Sequence, residues 1–302
     1  MPEPTRDNPK DRAVYYAYRA GAVAAQSLPA PVGEAAARGI GRALGLAMPA
    51  RRRMASRHLR RASGGTLRGV ALERAVNGAF ESYARYWLEM FRLPYEGRAA
   101  IDEHFDVDGY EHVDEALAAG RGCIVALPHL GGWEHAGAWL HAVHRHRILV
   151  VVEPVEPPEL FDWFVDVRGS MGMEVVPAGG DAAARVVSAL ADNRIVCLVS
   201  DRDLNGDGVE VEFFGERTTL PGGPALLSLR AKSPILPTSV YFRPHGGHLG
   251  VVRPPLDTTR HGKLRDDIVR ITQALAHEFE ALIAAAPEQW HLMQPNWPSD
   301  QS

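Results

Sequence analysis

The chain has 302 residues, of which 33 are Lys or Arg and 37 are Asp or Glu, giving a formal net charge of -4. A general nucleic-acid binder carries a basic surplus, so this charge argues against nucleic acid as a partner. With 46% hydrophobic and 23% charged residues, the composition is that of an ordinary globular protein with a substantial core. No apolar stretch approaches the roughly 18 residues of a spanning helix, and residues 1–12 lack a signal-peptide core. We therefore expect neither a secreted nor an integral membrane protein.

The N-terminal part of the chain predicts helices, each with one apolar face. Amphipathic patterns run over residues 13–28 and 32–47, and the most basic segment, residues 51–61, follows them. Basic residues beside amphipathic helices can dock on anionic lipid, where each charge contributes about 1 kcal/mol. A solvated helix face explains the same composition, and the residues alone leave both interpretations open. A further helix over residues 69–93 carries an aromatic stripe that is typical of a core.

Strands and helices alternate in the middle of the chain. Near-continuous apolar strands separated by helical patterns are typical of a mainly parallel sheet covered on both faces. The predicted elements are a strand ending at Pro128, helix 133–144, strand 147–152, helix 158–169, strand 173–177, helix 182–191 and strand 195–199.

The pattern changes after residue 201. Residues 209–214 alternate like a half-exposed strand, residues 234–242 and 248–252 predict a buried strand and its edge partner, and residues 264–285 predict a long helix. No internal repeat or flexible linker interrupts the chain. We therefore expect one α/β domain over residues 1–302, with a mainly parallel or mixed central sheet flanked by helices. N-terminal helices (1–68) would precede its α/β core (69–302).

Residues 122–135 predict a strand, a loop and a helix. The apolar run ends at Pro128, His129 follows alone, two glycines break the chain, and Trp133 with Glu134 opens the helix. In an open α/β sheet, ligands bind at the carboxyl ends of the strands. His129 is therefore placed where the chemistry of such proteins is carried out.

Three segments together resemble one known family. His-x-x-x-x-Glu stands in a Pro-His-x-Gly-x-Trp-Glu context at residues 128–134, Ser-Asp-Arg-Asp-Leu follows a predicted strand at residues 200–204, and Val-Glu-Phe-Phe-Gly-Glu lies at residues 211–216. These segments resemble the lysophospholipid-type acyltransferase superfamily. Within it, they resemble the branch that contains the bacterial lipid A lauroyl/myristoyl acyltransferases and the actinobacterial phosphatidylinositol mannoside acyltransferases.

The resemblance implies an O-acyltransferase in which His129 is the general base. Imidazole suits the removal of a hydroxyl proton because it exchanges a proton near working pH. The resemblance further implies that Glu134 and Asp201 position the ring and balance the charge that it gains. Backbone amides of residues 131–133 are expected to bind the oxyanion that forms during transfer.

Three more residues are expected to bind substrate. Glu153 follows a predicted strand and Arg168 lies in the next helix, where the family has a carboxylate and an arginine in comparable places. We expect these two to form an ion pair that shapes the site or holds a phosphate or carbonyl oxygen, although a plain surface pair fits as well. Arg202, inside the Ser-Asp-Arg-Asp-Leu segment, is the third expected substrate-binding residue.

The resemblance also implies the substrates and the location. The donor would be acyl-CoA, used as a co-substrate with no further cofactor, or acyl-carrier protein. The Asp-Arg-Asp-Leu segment points to a phosphatidylinositol mannoside as acceptor of a long-chain group such as palmitoyl. Such enzymes work at a bilayer, so we expect residues 1–68 to dock on an anionic membrane and the protein to be peripheral at the cytoplasmic face of the plasma membrane. A lipid A-type or other glycolipid acyltransferase, and a non-catalytic lipid-binding module of the same fold, are the alternatives.

Other chemistries fit the sequence less well. Zinc hydrolases of the zincin type need His-Glu-x-x-His on one helix, whereas a loop with two glycines separates His129 from Glu134, so we expect no metal. Cys123 and Cys197 lie inside predicted strands and are expected to be reduced core residues rather than nucleophiles. Residues 287–290, Pro-Glu-Gln-Trp, are similar to an end-piece of the family and are expected to be structural.

Overall fold

The computed structural model describes residues 9–204, 206–244 and 246–301. Within these ranges the helices are α1 Pro9–Ser27, α2 Ala30–Ala47, α3 Pro49–Ala62, α4 Gly69–Arg92, α5 Arg98–Glu103, α6 Glu111–Ala118, α7 Trp133–Ala142, α8 Pro158–Ser170, α9 Ala182–Ala191, α10 Gly223–Ala231 and α11 Leu264–Ala285. The strands are β1 Phe105–Asp108, β2 Cys123–Leu127, β3 Ile148–Val152, β4 Met173–Pro177, β5 Ile195–Val199, β6 Val209–Phe213, β7 Glu216–Leu220, β8 Ile235–Phe242 and β9 His248–Val252.

Seven of these strands form one sheet in the order β1-β9-β8-β2-β5-β3-β4. Neighbouring strands are parallel except β8 and β9, which pair antiparallel. Strands β6 and β7 form a separate antiparallel hairpin. The predicted α/β fold with a mainly parallel sheet is therefore confirmed.

Strand β2 shows why the sheet is covered on both faces. All five of its residues are buried, and successive side chains of a strand point to opposite faces. Ile124 and Ala126 pack in a core with residues of α9, α10 and α11, whereas Cys123, Val125 and Leu127 pack in a second core with residues of α5, α6 and α7. The site described below lies at the carboxyl end of this buried strand.

The N-terminal helices pack around α4. Helix α2 lies close to α4 because small residues face it, and a Cβ at Gly41 would collide with the carbonyl oxygen of Phe80. No helix in the described part of the chain combines the length and the apolar character needed to cross a membrane.

The basic segment is the helix α3, and part of its charge is used inside the protein. Arg52 binds Asn77 and Glu73, and Arg61 binds Glu216 and Asp300. The arginines that stay exposed are Arg51, Arg53, Arg57 and Arg60. A fully solvated basic face is therefore not what the segment forms.

The predicted helices and strands occur within a few residues of their predicted bounds. Strands β1 and β7 and helix α5 were not predicted from the sequence, and no bounds were predicted for α10. The strand β1 is four residues long with two acidic side chains, and β7 consists mostly of polar residues, so neither carries an apolar strand pattern.

Candidate active site

His129 and Asp201 are brought together by the register of two neighbouring strands. In the parallel pair of β2 and β5, Leu127 lies opposite Val199, and each site residue lies two positions beyond its strand end. The Nδ1 atom of His129 is 2.6 Å from Oδ1 of Asp201. The backbone N–H of His129 donates to Oδ2 of the same carboxylate at 3.0 Å. Asp201 thus contacts the imidazole directly.

The Asp201 carboxylate is fully buried yet ionised. Burial opposes ionisation, but the His129 ring, the Trp290 indole and the His129 amide stabilise the charge, and the pKa of Asp201 lies below its ordinary value. An ionised acceptor requires a proton on the facing nitrogen, so Nδ1 of His129 carries the hydrogen, and in the neutral ring Nε2 is then the acceptor. That tautomer is the one a general base needs.

Glu134 has different partners from the ones we expected. It is buried in the first turn of α7 and accepts hydrogen bonds from Nη2 of Arg168 at 2.7 Å and from the hydroxyl of Tyr86 at 3.0 Å. Burial, and then the Glu134 charge, raise the pKa of Tyr86, so this hydroxyl is a neutral donor. The partner that orients the His129 ring is Asp201, and a catalytic role for Glu134 stays a prediction.

The expected ion pair between Glu153 and Arg168 is wrong. Arg168 pairs with Glu134, and its guanidinium lies over the Trp133 ring at 5.3 Å from the ring centre. Glu153 pairs instead with Arg202 at 3.2 Å. The reason is topological: β3 and β5 are neighbours, so Glu153 after β3 and Arg202 after β5 meet at one edge.

Two of the three amides expected to bind the oxyanion are engaged elsewhere. The N–H of Gly131 donates to the carbonyl of Gln289 at 3.0 Å, and the N–H of Gly132 donates to the carbonyl of Val240 at 3.0 Å. Gly131 has a φ of 60°, and a Cβ there would collide with the Val240 carbonyl oxygen. These glycines let the loop pack against β8, and of the three only Trp133, the first residue of α7, remains as a candidate donor.

The exposed edge of His129 opens into a cavity of about 280 Å³. The cavity has an aromatic part and a charged part, which are formed by Tyr83, Tyr86, Trp87, Trp133, Phe161 and Phe164 and by Glu153, Arg168 and Arg202. All of the residues predicted to bind substrate therefore line the cavity that contains the imidazole.

A larger apolar cavity of about 570 Å³ lies between α1, α2 and α4. Its wall consists almost wholly of alanines, glycines and larger apolar residues from these helices. Tyr83 and Trp87 of α4 line both cavities, so two side chains form a shared wall between the charged site and the apolar cavity.

The C-terminal segment contributes contacts to the site that were not predicted from the sequence. The indole N–H of Trp290 donates to Oδ2 of Asp201 at 2.7 Å, and Nδ2 of Asn296 donates to the Asp201 carbonyl at 3.1 Å. His291 lines the cavity, and burial with repulsion by His129 lowers the pKa of His291 to about 3, so its ring is neutral. In the sequence, this segment was marked by the Pro-Glu-Gln-Trp end-piece and by the Trp and Pro residues of 287–298, and neither pattern indicated a contact with Asp201.

Cys123 and Cys197 are free, buried thiols, and burial raises the pKa of both, that of Cys197 to about 12. They are therefore thiols rather than thiolates at neutral pH.

Among the residues that the structure describes, no group of three or more His, Cys, Asp or Glu side chains is arranged to hold a metal ion.

Comparisons with known proteins extend the resemblance to almost the whole chain. The sequence profile of the bacterial lipid A biosynthesis acyltransferase family matches residues 4–299. A phosphatidylinositol mannoside acyltransferase of Mycobacterium tuberculosis is 44% identical over 230 residues, which cover 74% of this chain and 70% of that protein. The protein of the same name from Mycolicibacterium smegmatis is 42% identical over 230 residues, 75% of this chain and 73% of the relative. A lipid A biosynthesis acyltransferase of Haemophilus influenzae is 22% identical over 223 residues, 72% and 67% of the two chains. The chain belongs to the bacterial lipid A biosynthesis acyltransferase family and is an O-acyltransferase.

Proposed function

We propose that the protein transfers a long-chain acyl group, palmitoyl in the first instance, from acyl-CoA to a mannose hydroxyl of a phosphatidylinositol mannoside. The observation that carries this proposal is the imidazole of His129, held by the buried carboxylate of Asp201 and facing a cavity with aromatic and charged walls. The acceptor is supported by two relatives, each more than 40% identical, that are named for phosphatidylinositol mannoside.

His129 would act as the general base. Its Nε2 takes the proton of the sugar hydroxyl while the oxygen attacks the thioester carbonyl and forms the new C–O bond. Asp201 stabilises the imidazolium that results. The tetrahedral intermediate then expels the CoA thiolate by breaking the C–S bond, and the imidazolium returns its proton to that sulfur. No covalent enzyme intermediate is needed, because the hydroxyl attacks the thioester directly.

The acyl chain would occupy the apolar cavity between α1, α2 and α4. Burial of methylene groups is favourable by about 0.8 kcal/mol for each group, so a long chain gains more from this cavity than a short one. Because Tyr83 and Trp87 line both cavities, the two cavities adjoin, and a chain whose thioester lies near His129 would pass these side chains to reach the apolar part. In this proposal, Arg202 in the charged part of the cavity near His129 binds a phosphate of the donor or the acceptor.

The N-terminal helices would hold the protein on an anionic membrane at its cytoplasmic face. Helices α1 and α2 expose large apolar side chains, among them Tyr16, Val23, Val32, Ile40 and Leu46. Exposed arginines of α3 follow directly in the chain. Apolar side chains beside arginines suit the headgroup region of an anionic bilayer. Flotation with vesicles tests this part: binding to anionic but not to neutral vesicles is expected, and equal binding to both would contradict it.

The function is tested by product analysis. Purified protein is incubated with palmitoyl-CoA and a phosphatidylinositol mannoside, and the lipids are examined by mass spectrometry. A mannoside carrying one additional palmitoyl group is expected. Acylation of a lipid A precursor but not of the mannoside would favour the lipid A alternative. Tight binding of the acyl chain with no thioester cleavage would favour a binding module. Repeating the assay with palmitoyl-acyl carrier protein in place of palmitoyl-CoA identifies the donor.

A further inference from the structure

The C-terminal segment supplies a third donor to the buried carboxylate. Oδ2 of Asp201 accepts the indole N–H of Trp290 at 2.7 Å and the His129 amide at 3.0 Å, while Oδ1 faces the imidazole. Trp290 is itself 3% exposed, so water does not compete for this contact. A carboxylate with donors on both oxygens cannot rotate without losing a buried hydrogen bond, and each such loss is costly.

The backbone fixes the place of Trp290 as well. The N–H of Gly131 donates to the carbonyl of Gln289, and the N–H of His291 donates to the carbonyl of His129 at 2.7 Å. Residues 289–291 therefore run beside the loop that carries the imidazole, bonded to it on both sides of Trp290. The amide of Gln289 is tied in turn to the backbone of Phe242 through both of its polar atoms.

We infer that Trp290 is a positioning residue for the acyl transfer, acting through Asp201 on the orientation of the His129 ring. This inference rests on the proposed role of His129 as base. It assigns the tail of the chain to the catalytic machinery, whereas the sequence interpretation treated this segment as structural. Without the indole donor, the carboxylate keeps its charge but loses the bond that holds its plane toward the imidazole.

The test compares two tryptophans of the same segment. Trp290→Phe removes the indole N–H and keeps an aromatic side chain. Trp297→Phe is the matched control, because Trp297 is equally buried and its indole N–H donates to the carbonyl of Phe213 rather than to Asp201. Both variants are measured for kcat/KM across pH and for thermal unfolding. Neither substitution replaces any of the other titratable groups that line the cavity, which are His291, Glu153, Arg168, Arg202, Tyr83 and Tyr86.

We expect Trp290→Phe to lower kcat/KM about tenfold or more, with most of the loss in kcat. We also expect the midpoint of the acid limb in the pH profile of kcat/KM to move to higher pH. The reason is that a carboxylate that has lost a donor stabilises the imidazolium more strongly. Trp297→Phe should lose stability without moving that limb. A Trp290→Phe variant whose acid-limb midpoint lies at or below the wild-type pH would overturn the inference. So would a variant whose loss of kcat/KM equals that of Trp297→Phe.

A measurement on the unchanged protein covers the case in which Trp290→Phe does not fold. In the wild-type chain, the indole proton resonance of Trp290 should move as His129 titrates, and the resonance of Trp297 should not. If neither resonance moves, the inference is wrong. An absence of any acyl transfer by the wild-type protein would instead refute the proposed function, so the two failures can be told apart.

Discussion

The guanidinium of Arg168 lies 2.7 Å from the carboxylate of Glu134, with 12% and 3% of the two side chains exposed. Glu134 is the acidic residue of the His-x-x-x-x-Glu motif, so the motif contributes a buried ion pair beside the cavity as well as the imidazole of His129. Burial would lower the pKa of Arg168, but the Glu134 carboxylate and the Tyr86 oxygen raise it. The pair therefore holds one wall of the site, including the Trp133 ring, in place.

Removing one charge of this ion pair should lower the stability of the protein. Glu134→Gln leaves the Arg168 charge buried without a counter-charge, and we expect a loss of about 3–5 kcal/mol in the free energy of unfolding. The double variant Glu134→Gln/Arg168→Met removes both charges and should recover much of that loss. Denaturant unfolding measures both values. A single variant as stable as the wild-type protein, or a double variant no better than the single one, would contradict the ion-pair account.

Asp201→Asn should preserve the shape of the site and remove its charge. An amide cannot stabilise the imidazolium and can hold the wrong tautomer of His129, so we expect kcat to fall by roughly 10³-fold or more. Asp266→Asn is the control, since Asp266 is an exposed carboxylate on α11. The control should transfer acyl groups at close to the wild-type rate. Equal losses in the two variants would show that the effect is not specific to the imidazole partner.

The stability of the C-terminal segment should depend on pH through Asp300. Its side chain has no exposed surface. Burial opposes its ionisation, but His58, the Asn296 amide and Arg61 outweigh burial and hold the pKa of Asp300 well below its usual range. The unfolded chain titrates near the ordinary value of about 3.9. The stabilisation is therefore fully present above about pH 4 and is lost as the pH falls below it.

Denaturant unfolding between about pH 6 and about pH 3 measures this dependence. Asp300→Asn should lower the free energy of unfolding near neutral pH and reduce its fall below about pH 4, while Asp201 still contributes in the same direction. Asp266→Asn, at an exposed position on α11, should leave the curve unchanged in shape. If Asp300→Asn follows the wild-type slope throughout, the carboxylate does not carry the pH dependence.

The two cysteines should be unreactive in the folded protein. Both thiols are buried, and burial raises the pKa of Cys197 to about 12 and that of Cys123 as well. Treatment of the native protein with iodoacetamide at mildly alkaline pH should leave both residues unlabelled and acyl transfer intact. Mass spectrometry counts the labels, and the denatured protein should take up both. Rapid labelling with loss of transfer would point to an accessible nucleophilic thiol.

Much of the fold could be predicted because local patterns encode it. The strand Met173–Pro177, the helix Ala182–Ala191 and the strand Ile195–Val199 were predicted with the bounds that the structure has. Apolar strands between helical patterns carry a strong signal, whereas the edge strand Phe105–Asp108 has only four residues, so its alternation of apolar and acidic side chains is too short to stand out.

The site could be predicted only where short motifs report it. His129 and Asp201 were predicted because each belongs to a segment that resembles a family motif and follows a predicted buried strand. The contact between Trp290 and Asp201 joins residues 89 positions apart, and such a contact produces no local sequence pattern. The pairing of Arg168 was predicted wrongly because the expected partner, Glu153, lies beside a different arginine, Arg202, across neighbouring strands.

The central claim is that the imidazole of His129 removes the proton of the acceptor hydroxyl. The most direct test is mass-spectrometric measurement of palmitoyl transfer to phosphatidylinositol mannoside by His129→Gln. His277→Gln serves as the control, because His277 lies on α11 with an exposed side chain that contacts Gln273. We expect His129→Gln to fold normally and to lose roughly 10²–10⁴-fold in kcat, with the control unchanged. A folded His129→Gln protein that still transfers palmitoyl at the rate of the control would contradict the account.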